Sequence, residues 1–109
     1  MGTFAVGDVV LIPFPYADLS TFKKRPALIV GEAEFNNFIL CQITSKSSKS
    51  QRAILATDKD FTDGSLNLDS YIRPDKLFTI EISVIEKKLG TLNNSILIDI
   101  KDSIRQLFK

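Results

Sequence analysis

The sequence predicts a mainly β domain, a small curled sheet or barrel closed by one C-terminal helix. Three observations lead there. Short apolar runs recur between polar loops, as at Val9–Ile12, Ala27–Val30 and Phe38–Thr44. Asn, Gly and Pro punctuate those runs at close intervals. Only the last stretch changes period: Ile96, Leu97, Ile100, Ile104, Leu107 and Phe108 recur as on one face of a helix, with Asp99, Lys101, Asp102 and Arg105 between them. At 109 residues this is a single domain, spanning 1–109, long enough to bury a core without disulfides or metals.

Gly7 and Asp8 turn into a first strand, Val9–Ile12, which is expected to stop at Pro13-Phe14-Pro15 because proline cannot donate to a ladder. Tyr16 to Lys24 is a polar loop with turn chemistry at Asp18, Ser20 and Thr21. The second strand, about Arg25 to Glu32, follows a cationic triplet, Lys23-Lys24-Arg25, without a spacer. Pro26 disfavours helix for the residue before it, which holds Arg25 extended at the strand's mouth, a good place for a phosphate-binding arginine. Asn36-Asn37 marks a tight connection into the third strand, Phe38–Thr44.

On that third strand Phe38, Leu40, Gln42 and Thr44 share one face, and Ile39, Cys41 and Ile43 the other. The second set is wholly apolar, so it is expected to face the core and leave Gln42 and Thr44 near a groove. Ser45 to Gln51 is a polar loop and Ala53–Ala56 a short fourth strand. Asp58–Gly64 resembles a calcium loop, but its third acid falls one place late and no glutamate closes it, so a turn is expected. Leu68–Arg73 and Leu77–Ile80 read as extended segments on either side of Pro74, with Asp69, Tyr71, Arg73 and Asp75 on one side of the chain. Glu86–Leu92 is the last strand, and Asn93 or Asn94 caps the helix.

Histidine is absent and Cys41 is the lone cysteine, which argues against a zinc site, a Ser-His or Cys-His nucleophile and an internal disulfide. Any chemistry must use Arg, Lys, Ser, Thr, Tyr and carboxylates, with no metal and no cofactor expected. No apolar run is long enough for a membrane span and the start lacks a signal peptide's pattern, so a cytoplasmic protein without membrane contact is expected. The net charge of +1 is unevenly spread: Lys23, Lys24, Arg25, Lys46, Lys49 and Arg52 face only Glu32 and Glu34 in the stretch from 23 to 52. That basic third suggests a local anion-binding face, or, more blandly, a pair of solvated loops.

Four segments in order, Gly7-Asp8-Val9-Val10, Lys24-Arg25-Pro26-Ala27-Leu28, Ile43-Thr44-Ser45 and Arg73-Pro74-Asp75-Lys76-Leu77-Phe78, followed by Lys88-Leu89-Gly90, resemble the MazF/PemK family of bacterial toxins. The likeness runs from about Gly7 to Phe108. It implies an SH3-like β-barrel with a C-terminal helix, a homodimer, and a metal-independent endoribonuclease for single-stranded RNA that a cognate antitoxin neutralises. It also implies that Arg25 and Thr44 carry catalysis, with Arg73, Asp75 and Ser45 at further active-site or RNA-contacting positions; Asp75 is the candidate to accept the 2′-hydroxyl proton, with Arg73 keeping it ionised. Lys23, Lys24, Lys46 and Lys76 are candidates for the RNA backbone and Tyr16, with Phe14 or Phe22, for stacking an unpaired base. Many members carry glutamine where this chain has Tyr71, and some use histidine in RNA contacts; both departures bear on cleavage specificity.

The residues alone leave other readings open. Arg73 and Asp75 are also a plausible structural ion pair around Pro74, and Thr44 a β-prone residue at a strand end. Gyrase-poisoning toxins share the implied barrel, and a toxin-antitoxin complex can bind operator DNA, so a non-catalytic binding protein is the alternative. An SH3-like peptide binder would want tryptophan in its groove, and the chain has none.

Overall fold

The computed structural model describes residues 3–15, 22–45 and 50–108. Seven strands and one helix follow in order: β1 (Asp8–Pro15), β2 (Phe22–Ala33), β3 (Asn37–Thr44), β4 (Ile54–Ala56), β5 (Phe61–Gly64), β6 (Ser70–Glu81), β7 (Lys87–Leu92) and α1 (Asn94–Gln106). The strands form one antiparallel sheet in the order β4-β6-β3-β2-β1-β7-β5.

That order forces the sheet to curl. β4 and β5 lie at its opposite edges, yet only Thr57–Asp60 connect them. Five residue steps reach at most about 18 Å, whereas the edges of a flat seven-stranded sheet would stand about 29 Å apart. The result is a half-barrel whose two edges approach each other.

Both faces of the sheet are packed. Val9, Leu28, Cys41, Ile43 and Ile72 point to the face that α1 covers with Ile96, Leu97 and Ile100. Val10, Ile12, Ala27, Ile29, Phe38 and Leu40 form a second cluster on the other face, joined by Ile85. The expectation that only the Cys41 side of β3 is core is therefore corrected: Phe38 and Leu40 are buried as well, and the polar half of that face begins at Gln42. Burial pushes the Cys41 thiol up to about 12, so it packs as a small apolar side chain. Asn93 caps the helix by accepting from the Ile96 N–H at 3.0 Å.

Three other expectations change. β1 does not stop at Pro13, for Pro13 pairs with Lys24 and Pro15 with Phe22. The pairing of β1 with β7 ends at Leu11, so beyond it β1 is a sheet edge, where a missing N–H costs little. The turn expected over Asp58–Gly64 is one 3-10 turn followed by β5. There Asp60 Oδ2 accepts from the Thr57 N–H at 2.8 Å and Asp58 Oδ1 from the Ser65 hydroxyl at 2.5 Å, so these carboxylates tie the turn together. The extended segments on either side of Pro74 are a single strand with a register slip. Cys41 pairs with Leu77 but Gln42 with Arg73, which leaves Pro74, Asp75 and Lys76 without partners on β3.

β5 and β7 meet at two facing glycines, Gly64 and Gly90. Gly64 has φ +71°, and a Cβ built there would lie 2.2 Å from the Leu89 carbonyl oxygen and 2.6 Å from the Gly90 Cα. Left-handed strain and the clash with backbone add, so Gly64→Ala is expected to cost on the order of 3 kcal/mol. Urea unfolding monitored by circular dichroism reads this as a lower midpoint at similar slope.

Candidate functional site

Strand register decides which side chains share a surface, because residues directly opposite each other project to the same face. Ile12 faces Arg25, Ala27 faces Gln42, Gln42 faces Arg73 and Thr44 faces Tyr71. With the alternation along each strand, Arg25, Gln42, Thr44, Tyr71 and Arg73 all stand on the face of the second cluster, past its apolar end. All five are half-buried. Gln42 and Thr44 come from β3, which adjoins the strand carrying Arg25, and Tyr71 and Arg73 from β6 on the far side of β3, so the site is assembled by long-range pairing.

Arg25 occupies a fork. It pairs with Ile12 on one side, while the ladder to β3 starts only at Ala27. Pro26 has no N–H to extend that ladder, so β2 and β3 part where Arg25 and Thr44 lie. Continuing the register two residues brings Arg25 level with Thr44. Pro26 thus acts on the site chiefly through the sheet rather than through the strand's entrance, since β2 already runs from Phe22.

Arg73 and Asp75 form an ion pair: Nε meets Oδ1 at 3.3 Å and Nη2 meets Oδ2 at 3.4 Å, a bidentate fork. Desolvation pushes the Asp75 carboxyl upward, but hydrogen bonds from Arg73 and the backbone and the charges of Arg73 and Arg52 outweigh it. The carboxyl titrates below its ordinary value of 3.8. The stability this pair adds is therefore complete above pH 3.8 and lost as pH falls through the lower folded value. The stability difference between the parent and Asp75→Asn is expected to stay constant from neutral pH to about 4 and to shrink below that, as urea titrations at successive pH values will read.

The remaining candidates separate. Ser45, just past the end of β3, lines a cleft of about 380 Å³ with Lys23, Lys24, Arg25, Pro26 and Leu68. Lys24 Nζ bonds Glu86 Oε1 at 2.7 Å across the strands, an exposed pair. Lys76 is exposed in the unpaired segment of β6. Tyr16 and Lys46 lie outside the described residues, as do the side chains of Phe14 and Phe22. Among the described residues no group of three or more His, Cys, Asp or Glu could hold a metal ion. No described helix is long and apolar enough to cross a membrane.

The arrangement places two guanidinium forks, a threonine hydroxyl and a phenol on one surface, with a basic cleft beside them. The model of the PemK-like, MazF-like toxins of type II toxin-antitoxin systems matches residues 5–108. The chain belongs to the PemK/MazF toxin family. Solved structures similar to this PemK/MazF chain include a mycobacterial endoribonuclease in complex with its cognate antitoxin, at 15% identity and TM-score 0.75, covering 95% of this chain and 93% of that one. The Mycobacterium tuberculosis toxin MazF-mt6 is 21% identical, with TM-score 0.70 and coverages of 93% and 95%. The MazE–MazF complex of Deinococcus radiodurans is 18% identical, with TM-score 0.72 and coverages of 94% and 92%. At such identities the likeness establishes the PemK/MazF fold. No curated protein sequence matches the chain.

Proposed function

We propose that this toxin-family chain is a metal-independent endoribonuclease that cuts single-stranded RNA and is neutralised by a cognate antitoxin. The observation that carries the reading is the shared face of Arg25, Thr44 and Arg73 at the fork between β2 and β3. The endoribonuclease and antitoxin complexes among its structural relatives support it. In the proposed reaction the 2′-hydroxyl loses its proton as its oxygen attacks the adjacent phosphorus, and the bond to the 5′-oxygen breaks as that oxygen takes up a proton from solvent, which leaves a 2′,3′-cyclic phosphate and a 5′-hydroxyl. Charge accumulates on the phosphoryl oxygens, and Arg25 supplies a planar pair of donors there while Thr44 adds a hydroxyl donor.

Arg73 binds a neighbouring phosphate, and Asp75 holds its fork. A carboxylate titrating below its ordinary range is a weak proton acceptor at neutral pH, which favours this positioning role over general-base work. Lys23, Lys24, Ser45 and Lys46 extend the phosphate track, Lys76 flanks it, and Tyr16 offers a stacking ring. A homodimer, and operator binding by the toxin-antitoxin complex, complete the proposal.

The test is incubation of the purified chain with mixed-sequence single-stranded RNA in EDTA, with the fragment ends mapped. Fragments bearing cyclic-phosphate 3′ ends and 5′-hydroxyls are expected. Intact RNA across a broad sequence library would leave the chain a non-catalytic binding protein on the toxin fold.

A further inference from the structure

The slip in β6 does more than interrupt a ladder. Beside it, on the face of Arg73, opens a cavity of about 290 Å³ lined by Ile12, Pro13, Gln42, Lys76, Leu77 and Phe78. Its walls are mainly apolar, and its polar side chains are the Gln42 amide and the Lys76 ammonium. Gln42 stands directly opposite Arg73 and two residues before Thr44 on the same face, so the cavity lies beside the proposed cleavage site. Among the described residues the Gln42 side chain makes no hydrogen bond, and no fully buried polar side-chain atom is left unsatisfied. The amide is therefore half-buried yet open to whatever enters, and an entrant must bond it or forfeit the water it displaces.

Size narrows the entrant. Pockets that enclose drug-sized molecules run about 300–1,000 Å³, so this one takes a single flat ring system rather than a length of chain. A nucleobase fits the chemistry: apolar faces for the walls, and a hydrogen-bonding edge for one amide. Unpaired RNA presents such bases splayed from the backbone, and Lys76 stands at the same cavity, where the phosphate of that nucleotide would pass.

We infer that this cavity receives one unpaired base next to the scissile phosphate and that Gln42 determines which base is accepted, adenine being favoured. A glutamine amide donates and accepts at once, and it pairs bidentately with the N7 and N6 amino group of adenine. The inference rests on the endoribonuclease reading and gives it a source of sequence preference, at a residue the candidate RNA contacts do not include.

The test uses short fluorescein-labelled 2′-O-methyl RNA strands of A, C or U and a mixed strand containing G, which cannot be cut because the attacking hydroxyl is blocked. Affinities by fluorescence anisotropy are expected to favour the A strand by about tenfold or more. Gln42→Leu should bring all strands within about threefold of each other, and Lys76→Ala should weaken all of them alike. Gln42→Glu, which keeps size and polarity but removes the donor, should also lose the preference, so the test stands even if the leucine variant folds poorly. A base ranking unchanged in both Gln42 variants overturns the inference, and a different base preferred and then lost overturns the adenine pairing. Failure of the nuclease reading is visible separately, as unmodified RNA that stays intact while the methylated strands are still told apart.

Discussion

Arg25→Ala is expected to lower RNA cleavage by about 10²–10³-fold, with little change in stability. The magnitude follows from removing one preorganised donor set at a site of developing charge. Arg25 sits past the end of the second apolar cluster and is half-buried, so its truncation opens no core cavity. Arg25→Lys keeps the charge but not the two parallel donors, and should recover only part of the loss. Initial rates of fragment formation, beside melting curves of each variant, separate the two effects. A rate within about threefold of the parent for Arg25→Ala would sink the assignment, because a charge that merely steers RNA contributes no more than that at moderate salt.

A large loss of stability is expected on truncating Ile100. Its side chain is fully buried in the cluster where α1 meets Val9, Leu28 and Ile72. Ile100→Ala should cost about 2–5 kcal/mol, a large share of the roughly 5–15 kcal/mol that holds a domain of this size together. The midpoint of thermal unfolding should fall by roughly 10 °C or more, at about 4–8 °C per kcal/mol. Ile98 is the control: it is 59% exposed on the same helix, and Ile98→Ala should fall within about 0.5 kcal/mol of the parent.

Local chemistry made the helix and the hairpin readable before any coordinates. The 3.6-residue spacing from Ile96 to Ile104 and the cap at Asn93 are short-range signals, and both are met. The hairpin from β2 to β3 places positive φ at Phe35 and Asn36, one residue earlier than the Asn36-Asn37 pair suggests. The misread stretches share a cause: pairing partners decided them. Pro13 reads as a strand breaker until the end of the pairing with β7, at Leu11, makes its side of β1 an edge. Phe61–Gly64 lacks an apolar run and becomes a strand because β7 offers it a partner through two glycines. Arg25, Thr44 and Arg73 were legible as candidates from motif order, but their common face depends on three ladders. Gln42 was legible near a groove, as the polar residue that interrupts that face of β3 ahead of Thr44, but the cavity beside it depends on the slip in β6.

Pro74, Asp75 and Lys76 stand outside the pairing of β3 with β6, while Arg73 before them and Leu77 after them are both in register. Pro74 is fully buried and anchors the segment, whereas Asp75 and Lys76 are exposed and can be exchanged without disturbing the core. Recognition and folding are thereby uncoupled at these two positions. New sequence preferences can arise here by exchange of surface residues, on a scaffold that does not have to be rebuilt each time.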